Sequence, residues 1–129
     1  MDMIALEIGT DVTSIGDYAF PNCHSLTSVT IPDGVTSIGN DAFNSCSELA
    51  SVTIGNGVTS IGESAFSACN ELTNVTIGSS VTNIGYYAFS GSTNLETITV
   101  MGRTTAQARS LLTNADVPEG CTIVGEFGD

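Results

Sequence analysis

The sequence predicts one solenoid domain, in which short repeating units stack along a single axis. A segment of 23 residues recurs four times in succession, at residues 12–34, 35–57, 58–80 and 81–103. Its apolar residues fall at the same positions in every copy, so stacking brings like side chains together. Because a single unit is too small to enclose a core, neighbouring units must share one.

Each copy is predicted to contain two extended pieces joined by turns. The second copy reads VTSIGNDAFNSCSELASVTIGNG. Val35–Ile38 is extended, Asn40–Phe43 is predicted to form a single helical turn with Ala42 and Phe43 inward, and Cys46 closes the unit. The segment Leu26–Ile31 of the first copy alternates β-branched and polar residues at its end, which is typical of a short strand. A period of about 20–29 residues with apolar anchors is typical of the leucine-rich class of solenoids.

Residues 1–11 align with the end of an earlier unit. Met3, Leu6 and Ile8 fall one period before the apolar residues of the strand in the next unit. The chain therefore begins mid-unit, with an open strand edge. Solenoids normally cover such an end, so we expect either upstream residues or another chain at this edge.

Residues 104–129 leave the period and are predicted to form a C-terminal cap of a helix and a strand. Thr104 and Gln107 fit a capping box. A helix ended by Pro118 is indicated by apolar residues at i, i+3, i+4 and i+7, namely Ala108, Leu111, Leu112 and Ala115. A last strand is indicated by the alternation of Cys121, Ile123 and Phe127.

The chain is strongly acidic. Fourteen Asp and Glu residues oppose two arginines, which gives a formal net charge of −12. This charge argues against binding to nucleic acid or to an anionic membrane surface, because both need a basic patch. No apolar run approaches the length of a membrane span, which argues against membrane insertion. The N-terminal residues MDMIALEIG do not resemble a signal peptide. This does not settle the compartment, because in an excised domain an export signal would lie upstream.

The sequence offers no set of residues for catalysis. The single histidine, His24, lies beside Cys23 at a variable position and lacks the third group that would orient it as a base. Cys23, Cys46 and Cys69 share one repeat position, where the fourth copy has Ser92. Side chains in such a column point the same way, whereas a zinc site or a disulfide needs them to converge. We therefore predict reduced packing cysteines, no catalytic residues, no metal site and no cofactor. Cys121 lies outside this column, and four cysteines leave another pairing as the alternative.

One candidate binding surface is the outer face of the strands. Eight polar side chains are predicted to form two rows there, about 4.8 Å apart from unit to unit: Ser28, Thr30, Ser51, Thr53, Asn74, Thr76, Thr97 and Thr99. Glu7 extends one row. The face lacks aromatic anchors, so we expect weak binding through hydrogen bonds. Two alternatives are a merely exposed sheet of β-branched residues and an ordered-water surface that binds ice.

A second candidate patch consists of three tyrosines. Tyr86 and Tyr87 are adjacent in the fourth copy, and Tyr18 occupies the second of these positions in the first copy. Tyrosine combines an apolar ring with a polar hydroxyl and is common at interfaces. The alternative is that Tyr86 and Tyr87 only cover the junction with the C-terminal cap.

The pattern VTSIGxxAFxxCxxLxxVxI closely resembles the BspA-like leucine-rich repeat family. The resemblance covers residues 12–103 and, as a partial unit, residues 1–11. It implies a curved, right-handed solenoid with a parallel β-sheet on one side and short helical turns or irregular segments on the other. Members of the family are mostly surface or secreted proteins of bacteria, and several are adhesins that bind host proteins or cells.

From the repeats and this resemblance we predict a non-enzymatic module that binds a protein or a glycan. Its expected location is a cell surface or the extracellular space. The alternative is a structural spacer or assembly scaffold, for which a phage tail fibre or a surface component with many subunits is an example. A scaffold of this kind would form homo-oligomers through the open N-terminal strand edge.

Overall fold

The computed structural model describes residues 4–129, which form a solenoid with two parallel sheets. The larger sheet has six strands in the order β1-β3-β5-β7-β9-β10, all parallel to their neighbours. Its strands are β1 (Ile4–Glu7), β3 (Leu26–Ile31), β5 (Ser51–Ile54), β7 (Asn74–Ile77), β9 (Thr97–Val100) and β10 (Thr122–Gly125). The predicted parallel solenoid is thus confirmed. We call its four 23-residue turns rungs 1 to 4, starting at residues 12, 35, 58 and 81.

A second, four-stranded sheet runs along another side of the solenoid in the order β2-β4-β6-β8. Its two-residue strands are β2 (Ser14–Ile15), β4 (Ser37–Ile38), β6 (Ser60–Ile61) and β8 (Asn83–Ile84). The extended piece predicted at Val35–Ile38 therefore contributes one strand to this sheet.

The core lies between the sheets and consists of columns of like residues. Val29, Val52, Val75 and Ile98 are in register on successive strands, and each is at most 2% exposed. The phenylalanines form another column, with ring centroids of consecutive rungs 5.3, 5.2 and 5.8 Å apart. A strict 23-residue period therefore yields a core with the same packing at each interface between rungs.

The predicted helical turn at Asn40–Phe43 is wrong, because this stretch is a series of turns. Asp41 has φ 57°, which a right-handed helix does not contain. The backbone N–H of Phe43 donates to the carbonyl of Ala65, one rung ahead, at 2.8 Å. Since these donors pair between rungs, no helical pairing within the rung is needed. Ala42 and Phe43 are nevertheless fully buried, as predicted.

The C-terminal segment forms the predicted helix and strand. In α1 (Thr105–Leu111) the capping box is present: the Gln107 N–H donates to Thr104 Oγ1 at 3.2 Å, and the Thr104 N–H donates to Gln107 Oε1 at 2.9 Å. The helix ends at Leu111, and the residues after it form turns. The prediction that Pro118 ends the helix is therefore wrong. β10 pairs with β9 and stops at Gly125.

Phe127 is not part of the last strand, contrary to the prediction. It lies in a turn in which its N–H donates to the Arg103 carbonyl at 3.1 Å. Its side chain is 67% exposed.

At the N-terminal end, β1 adds to the sheet as the alignment predicted. Leu6 pairs with Val29 and Glu7 pairs with Thr30. The predicted equivalence of Met3 lies outside the described residues.

Candidate functional site

The outer face of the six-stranded sheet carries the eight polar residues predicted there, and we call it the sheet face. Pairing between strands places Ser28, Ser51, Asn74 and Thr97 in one row and Thr30, Thr53, Thr76 and Thr99 in the other. All eight are exposed or half-buried, whereas the residues between them are buried. The strand alternation therefore presents two adjacent rows of hydroxyl and amide groups to solvent.

Sequence reasoning missed two residues that lengthen these rows. Thr122 lies opposite Thr97 and Val124 lies opposite Thr99, because β10 joins the sheet. Both fall 25 residues after their partners, so the 23-residue period did not include them. The alternation around Ile123 was the available signal. At the other end, Glu7 extends the threonine row, as predicted.

Two shallow depressions run along this face where the strands end. One has a volume of about 460 Å³ and spans Thr30, Thr53 and Thr76, with Pro32 and Met101 on its border. The other, of about 370 Å³, includes Glu7, Thr30 and Pro32. Because they share two residues, they form one groove along the solenoid axis.

Glycine follows the strands of rungs 2 and 3 beside this groove, and Gly55 is one of its lining residues. Gly55 and Gly78 occupy, in rungs 2 and 3, the position that Pro32 and Met101 occupy in rungs 1 and 4. A Cβ atom on Gly78 would overlap the carbonyl oxygen of Gly55, and one on Gly55 would overlap that of Ile31. Close approach of successive rungs thus requires glycine here, and the result is a hollow between two apolar side chains.

The rim of the groove carries a carboxylate and an amide that bridge rungs. Asp33 Oδ1 accepts a hydrogen bond from the Asn56 N–H at 2.8 Å, and Asn56 Oδ1 accepts one from the Ser79 N–H at 3.1 Å. These side chains are held in place by the next rung. They give the groove one negative charge and fixed polar groups beside the threonine hydroxyls.

The cysteine column makes hydrogen bonds between rungs. Cys46 Sγ donates to the Phe20 carbonyl at 3.1 Å, and Cys69 Sγ donates to the Phe43 carbonyl at 3.3 Å. Ser92 Oγ makes the equivalent bond, to the Phe66 carbonyl, at 2.8 Å. Burial raises the pKa of Cys46 to about 11 and that of Cys69 to about 12, so both stay protonated at neutral pH. Their role in the fold is that of a hydrogen-bond donor.

The described histidine, cysteine and acidic side chains do not form a metal-binding cluster. Within residues 4–129 no group of three or more His, Cys, Asp or Glu side chains is placed to hold a metal ion. His24 Nδ1 lies 2.8 Å from Ser47 Oγ, on the exposed surface. This histidine thus contacts a serine of the next rung.

The three tyrosines lie on another side of the molecule. Tyr86 and Tyr87 follow β8, and their ring centroids are 6.2 Å apart. Tyr18 follows β2, three rungs away, which corresponds to about 14 Å at the usual strand spacing. The structure therefore brings two of them together and places the third at the far end of the same side. Their side chains are 64%, 55% and 58% exposed for Tyr18, Tyr86 and Tyr87.

The N-terminal end of the solenoid is apolar. Val12 is 37% exposed, whereas Val35, Val58 and Val81 at the same repeat position are fully buried. A depression of about 310 Å³ at this end is lined mainly by apolar side chains, among them Leu6, Ile8, Val12, Ile15 and Phe20. This end is therefore a second surface that another molecule or segment could contact.

Comparison with known proteins agrees with the parallel solenoid and its repeated columns. The model of the BspA type leucine rich repeat region matches residues 2–116, in six copies. The chain belongs to this family. BspA-type repeats are typically found in bacterial cell-surface proteins, and leucine-rich repeat domains generally mediate protein interactions and are generally non-catalytic.

Several solved structures of bacterial leucine-rich repeat proteins are similar to this chain. One from Bacteroides ovatus is 31% identical, with a TM-score of 0.74 over 88% of this chain and 28% of its own. A leucine rich cell surface protein from Faecalibacterium prausnitzii is 29% identical, with a TM-score of 0.74 over 96% of this chain and 32% of its own. A third, from Bacteroides capillosus, is 37% identical, with a TM-score of 0.63 over 70% of this chain and 64% of its own.

This BspA-type chain thus spans about a third of the length of the first two similar proteins. No curated protein matches it significantly. Among residues 4–129 there is no helix with the length and apolar character needed to cross a membrane.

Proposed function

We propose that this BspA-type repeat module binds a protein or a glycan through the sheet face, at a bacterial cell surface or in the extracellular space. The observation that supports this function is the groove along the sheet face, in which the threonine row lies between Pro32 and Met101. Hydroxyl groups at a regular spacing can donate and accept hydrogen bonds along an extended ligand. The absence of aromatic anchors on this face favours modest affinity.

The proposed activity is binding without catalysis, and without metal or cofactor. The buried thiols of Cys46 and Cys69 donate hydrogen bonds to backbone carbonyls. His24 contacts a serine hydroxyl on the surface. These contacts favour recognition over chemistry. The protein's charge of −12 supports a partner other than nucleic acid or an anionic membrane.

A screen against a glycan array and a panel of extracellular proteins tests this proposal. The informative variant is Thr53→Arg/Thr76→Arg, which fills the groove at two adjacent rungs. A matched control is Ser60→Arg/Asn83→Arg, which adds the same charge to the outer face of the four-stranded sheet. We expect a ligand that the control retains and the groove variant loses. A ligand bound equally by both variants would contradict a site on the sheet face.

The second candidate function is a structural spacer or assembly scaffold, such as part of a phage tail fibre. It is favoured by the apolar N-terminal end, where Val12 is exposed although its equivalents are buried. A scaffold would form homo-oligomers through the N-terminal strand edge. Sedimentation of wild type and Val12→Lys over a range of concentrations tests this idea. A monomer at every concentration for the wild type would exclude assembly through this end.

A further inference from the structure

Beside the four-stranded sheet, two columns of side chains form a surface that we call the tyrosine strip. One column consists of Asp17, Asn40, Glu63 and Tyr86, and the other of Tyr18, Asp41, Ser64 and Tyr87. Along the first column, the Asn40 N–H donates to Asp17 Oδ1 at 2.7 Å, and the Glu63 N–H donates to Asn40 Oδ1 at 2.8 Å. Between the columns, the Tyr18 N–H donates to the Asn40 carbonyl at 2.9 Å and the Ser64 N–H to the Tyr86 carbonyl at 3.0 Å. The strip is therefore a continuous surface with tyrosine at both ends.

The tyrosine rings contribute little to the core. Tyr18, Tyr86 and Tyr87 are all more than half exposed. Although the Tyr87 N–H donates to the Asn114 carbonyl at 2.9 Å, its ring stays 58% exposed. Three exposed aromatic rings on one side are the kind of residue that anchors protein interfaces. Tyr86 and Tyr87 contact each other, but the folded chain covers less than half of each of the three side chains, which leaves area for a partner to bury.

The residues between the rings determine the charge of that partner. Asp17, Asp41 and Glu63 contribute three carboxylates to the strip. Asp41 lies beside Tyr18 and accepts a hydrogen bond from its phenol, and the negative charge of Asp41, followed by this hydrogen bond, raises the pKa of Tyr18. An aromatic ring next to a carboxylate fits a guanidinium group, which can stack on the ring and pair with the acid.

The chain's own cations lie elsewhere. The arginine Arg103 donates from Nη2 to the Val81 carbonyl at 2.9 Å, and Arg109 lies in the last turn of α1. With only these two basic residues against fourteen acidic ones, the field of the whole protein attracts cations. Charge complementarity thus selects a basic segment over a neutral or acidic one.

We propose that the tyrosine strip binds an extended, arginine-rich segment of a partner protein. Three rung spacings separate Tyr18 from Tyr87, about 14 Å. An extended peptide covers this distance in about four residues. Arginines of one segment can therefore reach both ends of the strip at once. This surface is separate from the sheet face, so the two sites can be occupied independently.

A titration with the peptide RGRGRGRG, followed by NMR in about 0.15 M salt, tests the proposal, since this salt screens distant charges. The main variant is Tyr18→Ser/Tyr86→Asn/Tyr87→Ser. Ser64 and Asn40 occupy these positions in other rungs, so the variant should fold and keep the charge of −12. We expect peptide binding to weaken roughly tenfold, because several cation–π contacts are lost, while the thermal midpoint stays close to that of the wild type.

Two charge variants separate the strip from the general acidity of the protein. Asp17→Asn/Glu63→Gln removes two carboxylates from the strip and should weaken binding severalfold. Glu71→Gln/Glu119→Gln removes two exposed carboxylates elsewhere and should change binding less than twofold. Equal weakening by both pairs would overturn the proposal, since it would show attraction to net charge alone.

Three further outcomes would also overturn it. Undiminished binding by the tyrosine variant would exclude the rings as the site. Equal binding of a peptide with citrulline in place of arginine would exclude a cationic partner, because citrulline keeps the shape and lacks the charge. If maltohexaose bound the wild type and not the tyrosine variant, and RGRGRGRG bound neither, the strip would be a neutral sugar site instead.

Discussion

The two ends of the solenoid have the same repeat sequence in different surroundings. At the N-terminal end Val12 is 37% exposed and Phe20 is half-buried. At the C-terminal end Val81 and Phe89 are completely buried, because α1, the turns after it and β10 cover rung 4. The difference shows that a residue's contribution to stability depends on whether a layer lies on both of its sides. In solenoids of this kind the interface between rungs, more than the rung itself, is the unit of stability.

The largest expected difference between the ends concerns phenylalanine. Phe89→Ala should destabilise the protein by about 3–5 kcal/mol, because it deletes a fully buried ring and leaves a cavity. Phe20→Ala should cost less than half as much, since solvent already reaches that ring. Urea unfolding of both variants measures the two values. Phe66→Ala, with stacked rings on both sides, is the control and should resemble Phe89→Ala. Equal losses at Phe20 and Phe89 would contradict an uncovered N-terminal end.

Valine provides a smaller version of the same comparison. Val81→Ala removes two buried methyl groups and should destabilise the protein by about 2 kcal/mol. Val12→Ala should cost well under 1 kcal/mol, because its side chain is already partly in water. Urea midpoints at equal slope give both values. A loss at Val12 as large as that at Val81 would mean that something covers the N-terminal end in solution, as the scaffold function requires.

Replacing Thr104, the N-cap residue of α1, should destabilise the C-terminal segment that covers rung 4. Thr104→Ala removes the acceptor for the Gln107 N–H and should cost about 1 kcal/mol, as other N-cap replacements do. Thermal unfolding measures the loss. Hydrogen exchange should then speed up in α1 while β3 keeps its protection. The exposed Thr93→Ala serves as the control and should change neither quantity. Uniform acceleration along the chain would instead show that the cover and the rungs unfold as one unit.

The columns of the core were predictable from sequence, because stacking at a strict period must superimpose Val29 on Val52 and Phe43 on Phe66. The sheet face followed from the same period together with strand alternation.

The turns after the strands of the second sheet were not predictable. Tyr18 and Ser64 have φ 55° there, although neither residue type usually indicates a left-handed backbone. Sequence reasoning did not place Thr122 and Val124 on the sheet face, because they follow their partners in β9 by 25 residues instead of 23. The repeat period therefore predicted the features that recur in every rung, whereas contacts within the folded chain determined the turns and the position of β10.

The smallest effect is expected from the buried thiols, and it appears only at alkaline pH. Burial raises the pKa of Cys69 from 9.0 to about 12, so above pH 9 the unfolded chain loses a proton that the folded chain retains. This contribution to stability is complete below pH 9 and is lost as pH rises toward 12, by about 0.8 kcal/mol at pH 9.5. Cys69→Ser removes the titrating group while keeping a donor to the Phe43 carbonyl, as Ser92 does for Phe66. Its unfolding free energy should therefore fall less steeply than that of the wild type between pH 8.5 and 10.5. Parallel profiles for the two proteins would mean that the Cys69 thiol reaches solvent in the folded state, and that rung 3 is as open as the N-terminal end.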